Sequence, residues 1–156
     1  MSLYCPIHRV FASKRHRCDA RKLITITKEC KGIVDRLFDL VGISVGPLSA
    51  AHFITPVVEA SNEYYINVYI DLNKDFPIKL LGDFPIGWVT HTETVSEDHL
   101  PILVIAYNET FHYVGVKTAD VRVREIIKQF ETHLDTHYDP QSIKAVLKLA
   151  GCDIDQ

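Results

Sequence analysis

PILVIAYNETFHYVGV, residues 101–116, holds two apolar runs, Ile102–Tyr107 and Phe111–Val116, on either side of Asn108-Glu109-Thr110. The first run is apolar on both faces, as a central strand buried on both sides should be, and a three-residue polar connection reads as the tip of a hairpin. Along the second run, alternation puts His112, Val114 and Val116 on one face. Phe111, Tyr113, Gly115 and Lys117 take the other. A titratable imidazole is thereby carried on a rigid strand.

Outward from this hairpin, Tyr64–Asp71 alternates between Tyr64, Ile66, Val68, Ile70 and the set Glu63, Tyr65, Asn67, Tyr69, Asp71. This is a strand with one face in the core and one wet. Glu63, Tyr65, Tyr69 and Asp71 could line a polar pocket or simply meet solvent. Ile86–Val95 reads as a further strand with Trp88 buried, and Ile78–Leu81 as a short strand among turn residues. Strands near 64–71, 86–95, 101–107 and 111–117 therefore form an antiparallel meander.

Helical periodicity brackets these strands. Leu23, Ile26, Cys30, Ile33/Val34, Leu37 and Val41 predict a helix over 19–41, with Asp19 as N-cap and Gly42 as stop. Ser49–Ala60 predicts a second helix, interrupted at Pro56. Val123, Ile127, Phe130 and Leu134 predict a helix over 120–137, and Asp139-Pro140 opens a last one over 140–150. The fold class is α+β, a single domain over 1–156 in which 1–18 form a basic N-terminal arm.

Composition sets limits on function. The 156 residues are 47% hydrophobic with a net charge of −3, so the whole molecule is no general polyanion binder. The charge is uneven. Residues 1–31 carry +6 and the remainder −9. A basic arm on an acidic body suits nucleic acid or an acidic partner through Arg9, Lys14, Arg15 and Arg17, or self-association. Four cysteines with no leader-like stretch ahead of them point to reduced thiols and a cytoplasmic protein. No apolar run approaches the ~18–20 residues of a membrane span. A glycine-rich phosphate loop, a dinucleotide fingerprint and a serine nucleophile elbow are all missing, which argues against nucleotide-dependent catalysis.

Three constellations could carry chemistry. Cys5-x2-His8 followed by His16-x-Cys18 supplies two thiolates and two imidazoles, a donor set for tetrahedral zinc. The first pair has familiar metal-ligand spacing, whereas the one-residue gap of the second makes convergence on one ion awkward. His133-x3-His137 shares a helix face and could chelate a metal, but Leu134 follows the first histidine where zinc peptidases carry Glu.

The third constellation is Cys5 with His112. A cysteine near the start of the chain, the segment GPLSAAHFITPVVEASNEYYINVYID and then PILVIAYNETFHYVGV, with 107 residues between Cys5 and His112, resemble papain-like cysteine peptidases, including ovarian-tumour-type deubiquitinases. The resemblance implies Cys5 as nucleophile, His112 as base and a third polar group orienting the ring. Val114 stands where such enzymes often place Asn or Asp, which leaves Asp120 or Asn108 for that role. Only four residues precede Cys5, so no oxyanion donor lies ahead of it. With these roles unfilled, the expected function is a non-enzymatic binding or assembly module with a basic arm, and a cysteine hydrolase is the alternative. No cofactor is expected beyond zinc. The apolar ridge of 120–137 offers a surface for homo-oligomers.

Overall fold

The computed structural model describes residues 1–18, 22–58, 62–81, 83–93, 102–149 and 151. Seven strands, β1 (Ser2–Cys5), β2 (Val10–Phe11), β3 (Ile24–Ile26), β4 (Pro47–Pro56), β5 (Glu63–Leu72), β6 (Trp88–Glu93) and β7 (Ile102–His112), form one sheet. Its order is β2-β1-β3-β4-β5-β7-β6, and β3–β4 is the parallel pair. Helices α1 (Lys31–Val41), α2 (Val116–His137) and α3 (Pro140–Leu149) complete an α+β fold.

Among the described residues, the helices cover one face of the sheet and leave the other open. Tyr64, Ile66, Val68, Ile70 and Leu72 of β5 are buried in one core with α1, α2 and Leu147 of α3. The alternation predicted for this strand therefore points its apolar half at the helices. α1 lies on that face because a parallel pair such as β3–β4 cannot close with a tight turn and needs a crossover. Val123, Ile127, Phe130 and Leu134 of α2 are at most 4% exposed. The ridge expected to drive self-association is thus taken up by the chain's own core. Phe130 sits between Trp88 and Phe84, with ring centroids at 4.4 and 5.8 Å.

Several boundaries differ from the sequence reading, each for a physical reason. The expected helix over 19–41 is a strand at 24–26, a 3-10 turn at 28–30 and a helix only from Lys31. Ile24-Thr25-Ile26-Thr27 is a β-branched run, which an extended strand between β1 and β4 accommodates better than a helix. Asp19, the expected N-cap, lies outside the described residues.

Ser49–Ala60, read as a helix, is instead most of β4. Its residues Ser49–Pro56, eight in all, pair in antiparallel register with β5, and Pro56 closes the strand at its last position, where a missing N–H is tolerated. Residues 59–60 fall outside the described set. Ile78–Leu81 is a 3-10 turn rather than a strand. Ile86–Val95 is strand from Trp88 to Glu93, with 94–95 outside the described residues.

The largest correction concerns residues 101–117. There is no hairpin. Ile102–His112 is one eleven-residue strand, and Asn108-Glu109-Thr110 pair with Asn67, Ile66 and Tyr65 of β5. The expected strand over 111–117 therefore ends at His112. Gly115, at φ 83° in the left-handed region glycine favours, turns the chain into α2 at Val116, four residues before Asp120. Placing β7 between β5 and β6 also makes the sheet order 4-5-7-6 rather than a sequential meander.

Candidate functional site

The N-terminal arm is an ordered knuckle on the sheet edge. β1 and β2 pair antiparallel, Tyr4 with Phe11 and Cys5 with Val10, around the turn Pro6-Ile7-His8-Arg9. The His8 backbone N–H points at Cys5 Sγ at 3.4 Å, and the Arg9 N–H donates to the Cys5 carbonyl at 2.9 Å.

Arg9 adopts φ 60°, a left-handed conformation that costs a non-glycine residue about 1 kcal/mol or more. Its side chain offsets that cost. The guanidinium donates to the Pro6 and Asp35 carbonyls, both at 2.9 Å, pairs with Asp39 at 3.0 Å and lies over the Phe38 ring. Arg9 thus clamps the turn to α1 and is not available to phosphates. Tyr4, next to Cys5, donates its hydroxyl to Asp35 of the same helix. Burial, followed by that hydrogen bond, pushes the Tyr4 pKa well above its usual range.

Cys5, His8, His16 and Cys18 meet at this knuckle, their ligand atoms all within 4.8 Å of one another. Cys5 Sγ lies 3.7 Å from Cys18 Sγ and 3.3 Å from His8 Nδ1. The two imidazoles cross edge to face with centroids 5.1 Å apart. His16 Nε2 is buried with no hydrogen-bond partner, which costs about 1–3 kcal/mol unless something binds it. The short His16-x-Cys18 gap is accommodated because Arg17 projects outward between them, exposed. A donor set of two sulfurs and two nitrogens at this spacing could hold a divalent metal ion.

Cys5 and His112 do not meet. Three strands stand between β1 and β7, about 19 Å of sheet at ~4.8 Å per spacing. His112 is exposed at the end of β7 opposite Glu63, and Asp120 lies in the first turns of α2. His133 and His137 do lie together, rings stacked at 4.2 Å, and each has one ring nitrogen engaged by a backbone carbonyl. His133 Nε2 faces the Asp83 carbonyl and His137 Nδ1 the His133 carbonyl.

On the open face, β4, β5, β7 and β6 form a trough of about 580 Å³. Phe53 and Tyr69 wall it, rings nearly parallel at 5.8 Å. At one end Asn108 Oδ1 accepts from the Tyr65 hydroxyl at 2.5 Å and from the Asn67 amide. At the other end are Asp71, hydrogen-bonded by Ser49 Oγ at 2.8 Å, and Glu93, 2.8 Å from His91 Nε2. Burial raises the Asp71 pKa despite the serine bond, and Glu93 adds to the rise. Tyr65, Tyr69 and Asp71 were legible in the alternation of β5, whereas Glu63 does not line the trough. Phe53 and Asn108 were missed, because one was read in a helix and the other in a turn.

Behind the trough, Glu109 faces the helices. It accepts from Tyr107 at 2.9 Å, from Tyr113, and from Arg122 Nη2 at 2.9 Å and Nε at 3.2 Å. Desolvation pushes its pKa up, but these donors outweigh it and hold the carboxylate below its usual range.

Among the described residues no helix is long and apolar enough to cross a membrane. No protein-family model, no curated protein and no solved structure matches the chain.

Proposed function

We propose that this protein is a zinc-stabilised binding module whose knuckle docks on the phosphate backbone of nucleic acid. The observation that carries the reading is the convergence of Cys5, His8, His16 and Cys18. Two thiolates bound to one tetrahedral zinc at ~2.3 Å sit about 3.8 Å apart, and Cys5 and Cys18 sulfurs are 3.7 Å apart. His16 Nε2, buried and otherwise unpartnered, gains a ligand bond, and the His8 N–H supports the Cys5 sulfur. Zinc here is structural, since four protein ligands leave no open position for substrate.

The same closure sets out a cationic surface. Lys14, Arg15 and Arg17 are exposed around the metal ligands and form no ion pair among the described residues. Arg9 is spent on α1, so the phosphate contacts fall to these three. Cys5 as a metal ligand, four strand spacings from His112, favours the binding module over a thiol hydrolase.

Fluorescence anisotropy with a labelled duplex of mixed sequence tests the reading. About three phosphate contacts predict a slope of log K against log salt near −3. The combined Lys14→Ala, Arg15→Ala, Arg17→Ala variant should lose binding while keeping its metal. Unchanged affinity in that variant, or no binding at low salt, would overturn the nucleic-acid assignment.

A further inference from the structure

We propose that the trough on the open face of the sheet binds a small organic cation, an ammonium or guanidinium group on an aliphatic or planar stem. This site is separate from the knuckle and does not depend on it.

Its chemistry is one-sided. Two carboxylates, Asp71 and Glu93, close one end, and among the described residues no lysine or arginine lines the trough. Asp71 is half-buried, holds a single hydrogen bond from the neutral Ser49 hydroxyl, and forms no ion pair among the described residues. Half-buried carboxylates are ordinarily matched by a cation, and a ligand can supply one. Glu93 pairs with the His91 imidazole at 2.8 Å.

The walls suit the rest of such a ligand. Phe53 and Tyr69 present adjacent π-faces to a positive group, an attraction that strengthens as water is displaced. Ala106, paired with Tyr69 across β5–β7, keeps the floor low beside that ring. At the far end, the Tyr65–Asn67–Asn108 cluster offers fixed dipoles to a polar terminus. The distance along β5 from Tyr65 to Asp71 is ~20 Å at ~3.4 Å per residue, and a volume of about 580 Å³ falls among small-molecule sites. The acidic end repels phosphate. Bases stacking on Tyr65 and Tyr69 would therefore carry their backbone into like charge.

Isothermal titration calorimetry on the full chain tests this with agmatine, which carries a guanidinium and an ammonium on one aliphatic stem. Glutarate, a dianion of similar length, is the control. The proposal expects one-to-one binding of agmatine with a Kd below about 1 mM and none of glutarate. Asp71→Asn keeps the shape of the side chain and its Ser49 contact, and should weaken agmatine about tenfold. Glu93→Gln changes a largely exposed side chain, so it carries the test should Asp71→Asn fail to fold. Tyr69→Leu should weaken agmatine several-fold by removing the π-face. Agmatine and glutarate binding alike, agmatine binding that neither carboxylate variant changes, or no saturation by agmatine would each overturn the proposal.

Discussion

Arg122→Leu should weaken the junction of β7 with α2 in a way that depends on pH. Arg122 approaches Glu109 at 2.9 and 3.2 Å and also reaches the Tyr107 hydroxyl at 3.3 Å. Charge-assisted hydrogen bonds of this kind contribute about 1.5–3 kcal/mol each when fully desolvated. The Arg122 side chain is 36% exposed and Glu109 19%, so solvent screening discounts that figure. A net loss of about 2 kcal/mol follows, between the values of buried and surface pairs.

The sign of the pH dependence follows from the same contacts. With its folded-state pKa depressed, Glu109 stabilises the wild type fully above the ordinary carboxylate range. That stability is lost as pH falls through the depressed value. In Arg122→Leu, desolvation is the leading influence and the Glu109 pKa rises. The variant's deficit should then shrink as pH falls from about 7 to about 5, because protonation relieves the uncompensated charge. Urea unfolding of wild type, Arg122→Leu, Glu109→Gln and the double variant gives the coupling directly. A coupling below about 0.3 kcal/mol, or a deficit independent of pH, would refute the ion pair as the link between strand and helix.

Three further outcomes are expected. Phe130→Ala removes a fully buried ring wedged between Trp88 and Phe84, and should cost about 3–5 kcal/mol in urea unfolding. Arg9→Ala should be less stable than Arg9→Gly by about 1 kcal/mol, since both lose the clamp to Asp35 and Asp39 but only glycine takes φ 60° freely. Cys30, buried and with its thiol pKa pushed up by desolvation to about 11, should resist iodoacetamide in the folded protein. At about pH 8 a thiol with that pKa is only about one part in a thousand thiolate, and mass spectrometry should find Cys30 modified only after unfolding.

The fold class was legible because the longest patterned segments carry the layers. The alternation of Tyr64–Asp71 and the 4-3-4 spacing of Val123–Leu134 survive as the covered face of β5 and the inner face of α2. What was misread shares one cause. Asn108, Glu109 and Thr110 look like a turn because polar residues in a strand need partners on its faces, and the sequence alone does not show that β5 and α2 supply them. Asn108 is satisfied by Tyr65 and Asn67 in the trough, and Glu109 by Arg122 beneath the sheet. Likewise Ala50-Ala51 and Ile54 mimic a helical face, while the β5 register makes that segment a strand. The four residues of the candidate metal site were legible from their chemistry alone. Their convergence was not, because it depends on the Arg9 clamp and on the β1–β2 pairing that bends the arm back.

Metal content tests the central claim most directly. The full chain, purified without chelator and assayed by inductively coupled plasma mass spectrometry, should carry one zinc per chain. Cobalt(II) exchanged into the site should show the absorption of a tetrahedral centre with thiolate-to-metal charge transfer. Cys5→Ser and His16→Ala should each lower zinc affinity and leave the chain less stable. Wild-type protein refolded with excess zinc that retains none, and whose Cys5 and Cys18 alkylate equally fast with and without zinc, would contradict the account.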